Sequence, residues 1–241
     1  MIRILLAVVF LLAAACHAAP PATPLPLYTS YDEAPFSLAH ADNLTVRLAA
    51  YLTRASQGRY VFEPVQLPRK RLEQMLAGHG WQGALAWGNP KFFSQLPQDH
   101  LRWTRGFMRD ADLVVSRQSR PVHYSGPASL YGLTLGAIRG WELNDFNADI
   151  RDGKIRREDA PTALANLRKL QSGRIDAALI QRAALPYFRR SLPGLEQWLY
   201  ISPIPRWEFS RHLAVDPAST ELYEFLQQAL AAMPPDALGP H

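Results

Sequence analysis

Apolar residues along this chain follow two spacings, and one combination of the two occurs twice. Residues 69–87 read RKRLEQMLAGHGWQGALAW and residues 166–181 read NLRKLQSGRIDAALIQ. In the first, Leu72, Met75 and Leu76 form one helical stripe, followed by Gly78, Gly80 and the small apolar run Gly83 to Trp87. In the second, Leu164, Leu167 and Leu170 form the stripe, followed by Gly173 and the run Ile175 to Ile180. Apolar positions three and four apart predict an amphipathic helix, and a glycine just beyond supplies its left-handed stop. The runs GALAW and IDAALI have almost no polar interruption, the pattern of parallel strands covered on both faces. Two units on one plan predict two α/β lobes with a cleft between them, a common place for ligands.

The same periodicities predict a first strand over 25–31, a loop at 32–36, a helix over 43–56 and a strand over 60–67. Two further strands are expected over 101–108 and 112–116. A strand over 133–138 opens the second half, and a helix over 142–150 and a turn at Asp152-Gly153 precede the second repeat unit. A helix over 182–190, strands over 198–201 and 209–215 and a closing helix over 220–233 complete the chain. Strands alternating with helices predict largely parallel sheets. Asn43-Leu44-Thr45 matches a glycosylation sequon, but a place at a helix start explains it sufficiently as a cap.

Arg3 precedes twelve apolar residues, Ile4–Ala15, and then small ones. This is the anatomy of a secretory signal peptide over 1–18, cut after Ala18. The apolar run is too short for a bilayer, which takes about 20 residues. Cys16, the single cysteine, follows three alanines and offers a second fate, lipid attachment at a new N-terminus. The mature chain is expected to be periplasmic, without a disulfide, with a stiff proline-rich lead-in from Pro20 to Pro26. At 48% hydrophobic, 20% charged and net +5, the composition is that of a soluble globular protein. Its basic clusters, Arg69-Lys70-Arg71 and Arg189-Arg190, suit solvated helix faces, and with no nucleic-acid motif in an exported chain, nucleic acid is excluded as a partner.

For enzymes no constellation is convincing. The seven histidines have no paired metal-ligand spacing, and neither a GxSxG elbow nor a P-loop occurs, so no catalytic residue, metal or cofactor is expected. Asp110 and Asp112, and Glu158 and Asp159, are expected to be exposed carboxylates on turns.

The order of short motifs resembles the family-3 extracellular solute-binding proteins that serve polar amino-acid ABC importers. The residues that carry the likeness are Tyr31…Ala34-Pro35-Phe36-Ser37, Asn43-Leu44-Thr45-Val46, Arg71-Leu72…Leu76…Gly78 and Asp112-Leu113-Val114-Val115. Gly132-Leu133-Thr134-Leu135-Gly136…Arg139-Gly140, Leu170…Gly173-Arg174-Ile175-Asp176-Ala177 and His212-Leu213-Ala214-Val215 follow. The resemblance implies an α/β, two-lobed, type 2 periplasmic-binding-protein-like fold. Lobe 1 would comprise 25–116 plus 205–241 and lobe 2 would comprise 120–200, joined by two hinge strands near 116–119 and 201–205. It further implies a monomer that captures a small-molecule ligand by hinge closure, with an ABC permease or a membrane sensor as partner.

The departures from that family bear on the ligand. Its members place an arginine after the first-lobe strand to clamp the ligand α-carboxylate with two parallel hydrogen bonds; here the turn reads Gly88-Asn89-Pro90-Lys91. Its aspartate after the second repeat strand, the partner of a ligand ammonium, is here Gln181. Both handles for an ordinary α-amino acid are altered. The expected ligand-binding residues are Tyr31, Trp87 (at a strand end, where open α/β sheets place ligands), Asn89, Lys91, Arg139, Gly140, Trp141 and Gln181. Arg139-Gly140-Trp141 lies between a strand and a helix start, where backbone N–H groups favour an anion. Phe36 and Trp207 are weaker candidates. The expected function is capture of a small polar solute for an importer; a periplasmic sensing or accessory module and a dehydratase-like enzyme are the alternatives.

Overall fold

The computed structural model describes residues 23–239 except Glu142; the expected signal peptide and Cys16 lie outside the described residues. In chain order it comprises β1 (Thr23–Thr29), α1 (Leu44–Ala55), β2 (Tyr60–Gln66), α2 (Arg69–Leu76), β3 (Ala84–Gly88), β4 (Arg102–Trp103) and β5 (Met108–Arg117). Then come β6 (Thr134–Ile138), α3 (Asn147–Arg151), β7 (Arg156–Ala160), α4 (Ala163–Gln171), β8 (Ala177–Gln181) and α5 (Leu185–Ser191). The chain ends with α6 (Leu195–Trp198), β9 (Leu199–Ile201), β10 (Trp207–Val215) and α7 (Thr220–Ala231).

Both repeat units form as the apolar pattern requires. Leu72 and Leu76 bury one face of α2, and β3 is buried at every position; Leu167 and Leu170 do the same for α4, ahead of β8. Gly83 sits at φ +88, where a Cβ would lie 2.1 Å from the Pro26 carbonyl oxygen, so the first unit turns into its strand only with glycine there. Asn43 caps α1 by accepting from the Val46 N–H at 2.9 Å, and its amide donates to the His40 carbonyl at 2.7 Å. The sequon asparagine is therefore buried and serves as a helix cap.

The strands are hydrogen-bonded in the order β2-β1-β3-β10-β5-β8-β6-β7. Pairing is parallel within each half, β2-β1-β3 and β8-β6-β7. The unbroken path does not make one layer, because β5 and β10 change partners along their length. Residues 108–112 of β5 pair with 207–211 of β10, while 112–117 pair with β8 and β9, and 212–215 of β10 pair with β3 and β4. Apolar packing divides the same way. Two cores cover the faces of the first half, around Leu48, Leu52 and Leu226 and around Leu72, Trp81 and Leu85; two cover the second, around Leu167, Ile175 and Phe188 and around Leu130, Leu135 and Phe146. This is a two-lobed α/β fold.

The crossing thus lies at 108–112 and 207–211, and not at the expected 116–119 and 201–205. No turn residue interrupts Met108 to Arg117, so a single ten-residue strand replaces the break expected after Met108. β7, with the sequence RREDA, was not predicted, since four charged residues carry no apolar period. It forms the edge of the second half, beside β6, and β2, with Glu63 and Pro64, forms the edge of the first. Among the described residues no helix is long and apolar enough to cross a membrane.

Candidate functional site

The two crossing strands carry a buried ion pair on which both halves converge. Arg211 of β10 is 0% exposed and Asp110 of β5 is 1% exposed. Nε of Arg211 donates to Asp110 Oδ2 at 2.7 Å, and Nη2 lies 2.6 Å from the same oxygen. From the first half, the Tyr31 hydroxyl accepts from Nη1 at 2.8 Å and the Trp87 carbonyl at 3.1 Å. From the second half, Gln181 Oε1 accepts from Nη2 at 3.0 Å, and the Ala183 N–H donates to Asp110 Oδ1 at 3.0 Å. The guanidinium also lies over the Phe36 ring, 4.2 Å from its centroid. A charge this deep persists only with its donors engaged; burial opposes it, and Tyr31 and Asp110 more than compensate, raising its pKa.

Tyr31, Trp87 and Gln181, three residues expected to bind ligand, are thereby brought together around an arginine of the chain itself. Trp87 is fully buried at φ +63; its indole N–H donates to Thr45 Oγ1 at 2.9 Å, and its ring packs 4.7 Å from that of Phe36. Asn89 is buried, its amide donating to the Ser210 carbonyl at 2.8 Å and its oxygen accepting from the Lys91 N–H at 3.0 Å. Lys91 is exposed, with Nζ 5.4 Å from the Trp207 ring centroid. Arg139 and Gly140 are exposed on the turn after β6, and neither lines the cleft.

The cleft lies beside the ion pair. Tyr31, Glu33 and Ala34 line it from the loop after β1, and Asp112 and Arg206 from the crossing segments. Ile138, Trp141, Ala163, the end of β8, Ala184 and Phe188 line it from the second half. About 20 Å³ remains within it, room for a single water, so any larger guest requires the halves to part. Glu33 fastens them: its Oε1 accepts from the Ala163 N–H at the start of α4 at 2.7 Å. At the rim His40 packs 5.1 Å from Tyr187, and Asp42 lies 3.8 Å from Arg190; that exposed pair contributes little.

Arg206 donates to both oxygens of Asp145 and, through Nη1, to Asp112 Oδ2 at 3.1 Å. Burial pushes Asp112 up to about 6 against the pull of Arg206. Burial likewise raises Glu33 to about 7, partly offset by the Ala163 N–H and reinforced by Asp32. A carboxylate whose folded pKa is raised binds more protons folded than unfolded, so its contribution falls as pH rises from the unfolded value toward the folded one. Between about pH 4.5 and 7 the parent protein should therefore lose on the order of 2 kcal/mol relative to Glu33→Gln and stay level above that window. Melting temperatures of the two proteins from pH 4 to 8 check this; parallel curves would refute the assignment.

Sequence reasoning missed Arg211, Glu33 and Arg206, and it expected Asp110 and Asp112 on exposed turns. The structure corrects the last point: both lie on one strand, two residues apart and hence on one face, at the crossing between halves. The only trace in the sequence was that i, i+2 acidic pair set against the apolar run Leu113–Val115. Among the described residues, no group of three or more His, Cys, Asp or Glu could hold a metal ion.

No protein-family model and no curated protein matches the sequence. Solved structures do. An ancestral arginine-binding protein bound to arginine superposes with a TM-score of 0.63 at 15% identity, covering 89% of this chain and 93% of that one. Holo ArgBP from T. maritima gives 0.61 at 18% identity, over 86% and 89%. The periplasmic VFT2 domain of Bordetella pertussis BvgS gives 0.58 at 18% identity, over 90% of each chain. With its divided cores and paired crossing strands, this chain has the two-lobed type 2 periplasmic-binding fold.

Proposed function

We propose that this chain is an exported, non-enzymatic module that captures a small solute between its two lobes and offers the closed form to a membrane partner. The observation that carries this reading is the convergence of Tyr31, Trp87, Gln181 and Ala183, from both halves, on the Arg211–Asp110 pair of the crossing strands. Such a pivot keeps the two halves in register while the cleft beside it opens and shuts. A guest favours closure only through contacts better made in the closed form. Delivery to an ABC importer is the first form of this function. A sensing role is the second, and a specific observation favours it: Glu33 ties the halves together with the chain's own atoms, so closure does not wait entirely on a guest.

The dehydratase-like alternative needs an acid in the cleft, and Glu33 at about 7 meets that requirement. Against it, the guanidinium lining the cleft, that of Arg206, is already engaged by Asp145 and Asp112, leaving it poorly placed to hold a carboxylate substrate. Thermal-shift screening of the purified protein against amino acids, organic acids, amines and oligopeptides tests the binding reading, because a ligand selective for the folded state raises the melting temperature. A shift with at least one class, and recovery of that compound unchanged, is expected. Silence across all classes, or turnover of the compound, overturns it.

A further inference from the structure

The charge-bearing side chains lining the cleft are two carboxylates and one guanidinium, and the guanidinium is already neutralised. Arg206 faces Asp145 and Asp112 together. Glu33 engages one oxygen with the Ala163 N–H and Asp112 engages one with Arg206; among the described residues the second oxygen of each has no protein donor. Apart from the Gln181 amide, whose oxygen is already engaged by Arg211, the rest of the lining is apolar or aromatic, with Tyr31, Trp141 and Phe188 the largest groups. Lys91 and Arg139, the positive residues the sequence offered for an anionic guest, do not line it. An anion entering here would meet excess negative charge, and the carboxylate of a zwitterion would have to separate Arg206 from Asp145. A cation meets carboxylates with open acceptor positions and aromatic faces that attract it.

Resting on the solute-binding reading above, we propose that the guest of this cleft is a small organic amine without a carboxylate, its ammonium received by Glu33 and Asp112 and its stem by the aromatic walls. The apolar lining favours an alkyl stem over a sugar or a peptide, whose polar groups would lose their partners on burial. Bound, the ammonium replaces the Ala163 N–H as the partner of Glu33 or joins it on the free oxygen. Both carboxylates are then held ionised, and the share of a proton that Glu33 carries at neutral pH is released to solvent.

Isothermal titration of the full chain with butylamine and putrescine, beside butyrate and glutamine, tests the proposal. The amines are expected to bind, with heats that depend on the ionisation enthalpy of the buffer because protons leave. Butyrate and glutamine are expected to be silent. Glu33→Gln should weaken the amine roughly tenfold or more and reduce the proton release; Asp112→Asn is the second variant should the first fold poorly. Binding of butyrate or glutamine without the amines overturns the amine assignment and leaves solute binding standing. Amine affinity unchanged in both variants, or without proton release, removes these carboxylates as the receiving groups. Silence with all four ligands overturns the amine assignment by itself, and the broader thermal-shift panel then decides whether solute binding falls with it.

Discussion

Asp110→Asn is expected to destabilise the protein by about 3–5 kcal/mol, because it leaves the charge of Arg211 buried with no counter-ion. The other hydrogen-bond partners of Arg211 are each fixed by another element: Tyr31 by the first loop, Trp87 by β3, Gln181 by β8. None of these supplies the negative charge. For a chain of this size the loss corresponds to a fall in melting temperature of roughly 10 °C, measurable by calorimetry. Removing both charges should cost less than removing one, since an apolar replacement of a buried pair is often close to neutral. In the double variant Asp110→Asn with Arg211→Met, part of the lost stability should return, although Tyr31 and Gln181 lose a partner. A single variant that melts within a degree of the parent, or a double variant worse than the sum of its parts, would mean that the pair does not hold the crossing together.

The second large effect is at Trp87, where the order of two substitutions is more informative than the size of either. Trp87→Ala removes an indole packed against Phe36 and Phe107 and hydrogen-bonded to Thr45, at a cost of about 3–5 kcal/mol. The backbone there is left-handed, with φ +63, a conformation that costs an L-residue with a Cβ about 1–2 kcal/mol. Alanine retains that strain and glycine does not. Trp87→Gly should therefore be more stable than Trp87→Ala by about 1 kcal/mol, the reverse of the usual order in a strand, where glycine is the worse residue by about 0.5–1 kcal/mol. Urea unfolding of the two variants decides it; alanine ahead of glycine would show that the backbone relaxes once the indole is gone.

The fold was legible because its information is local. The stripe of α2, the glycine stop and the buried run of β3 are all written within 69–88, and the same is true of α4 and β8. The order of such units implies two lobes, and the neighbouring structures share that architecture. The cleft was legible only in part. Tyr31, Trp141 and Gln181 stand at element ends, where a topological argument can find them. Arg211 and Asp110 are 101 residues apart and meet because two strands run through both halves; neither has a periodic signal, and a charge in a strand reads by default as a solvated face. Glu33 failed for the same reason, its partner being the start of a helix 130 residues away. The expectation built on Lys91 and Arg139 followed charge along the chain, while the fold placed both outside the cleft lining.

The two outermost strands have a consequence for association. β2 carries Glu63 and Pro64, and β7 reads Arg156-Arg157-Glu158-Asp159 before Ala160. An exposed strand is a template for a neighbour's backbone unless proline or charge interrupts it. Here each free margin has such a guard, and Lys169 and Arg174 further crowd the second through Glu158. Fibre-like stacking of copies through these margins is disfavoured. Any docking protein is driven to the helical flanks and the lips, the surfaces whose separation would change if the molecule shuts as proposed.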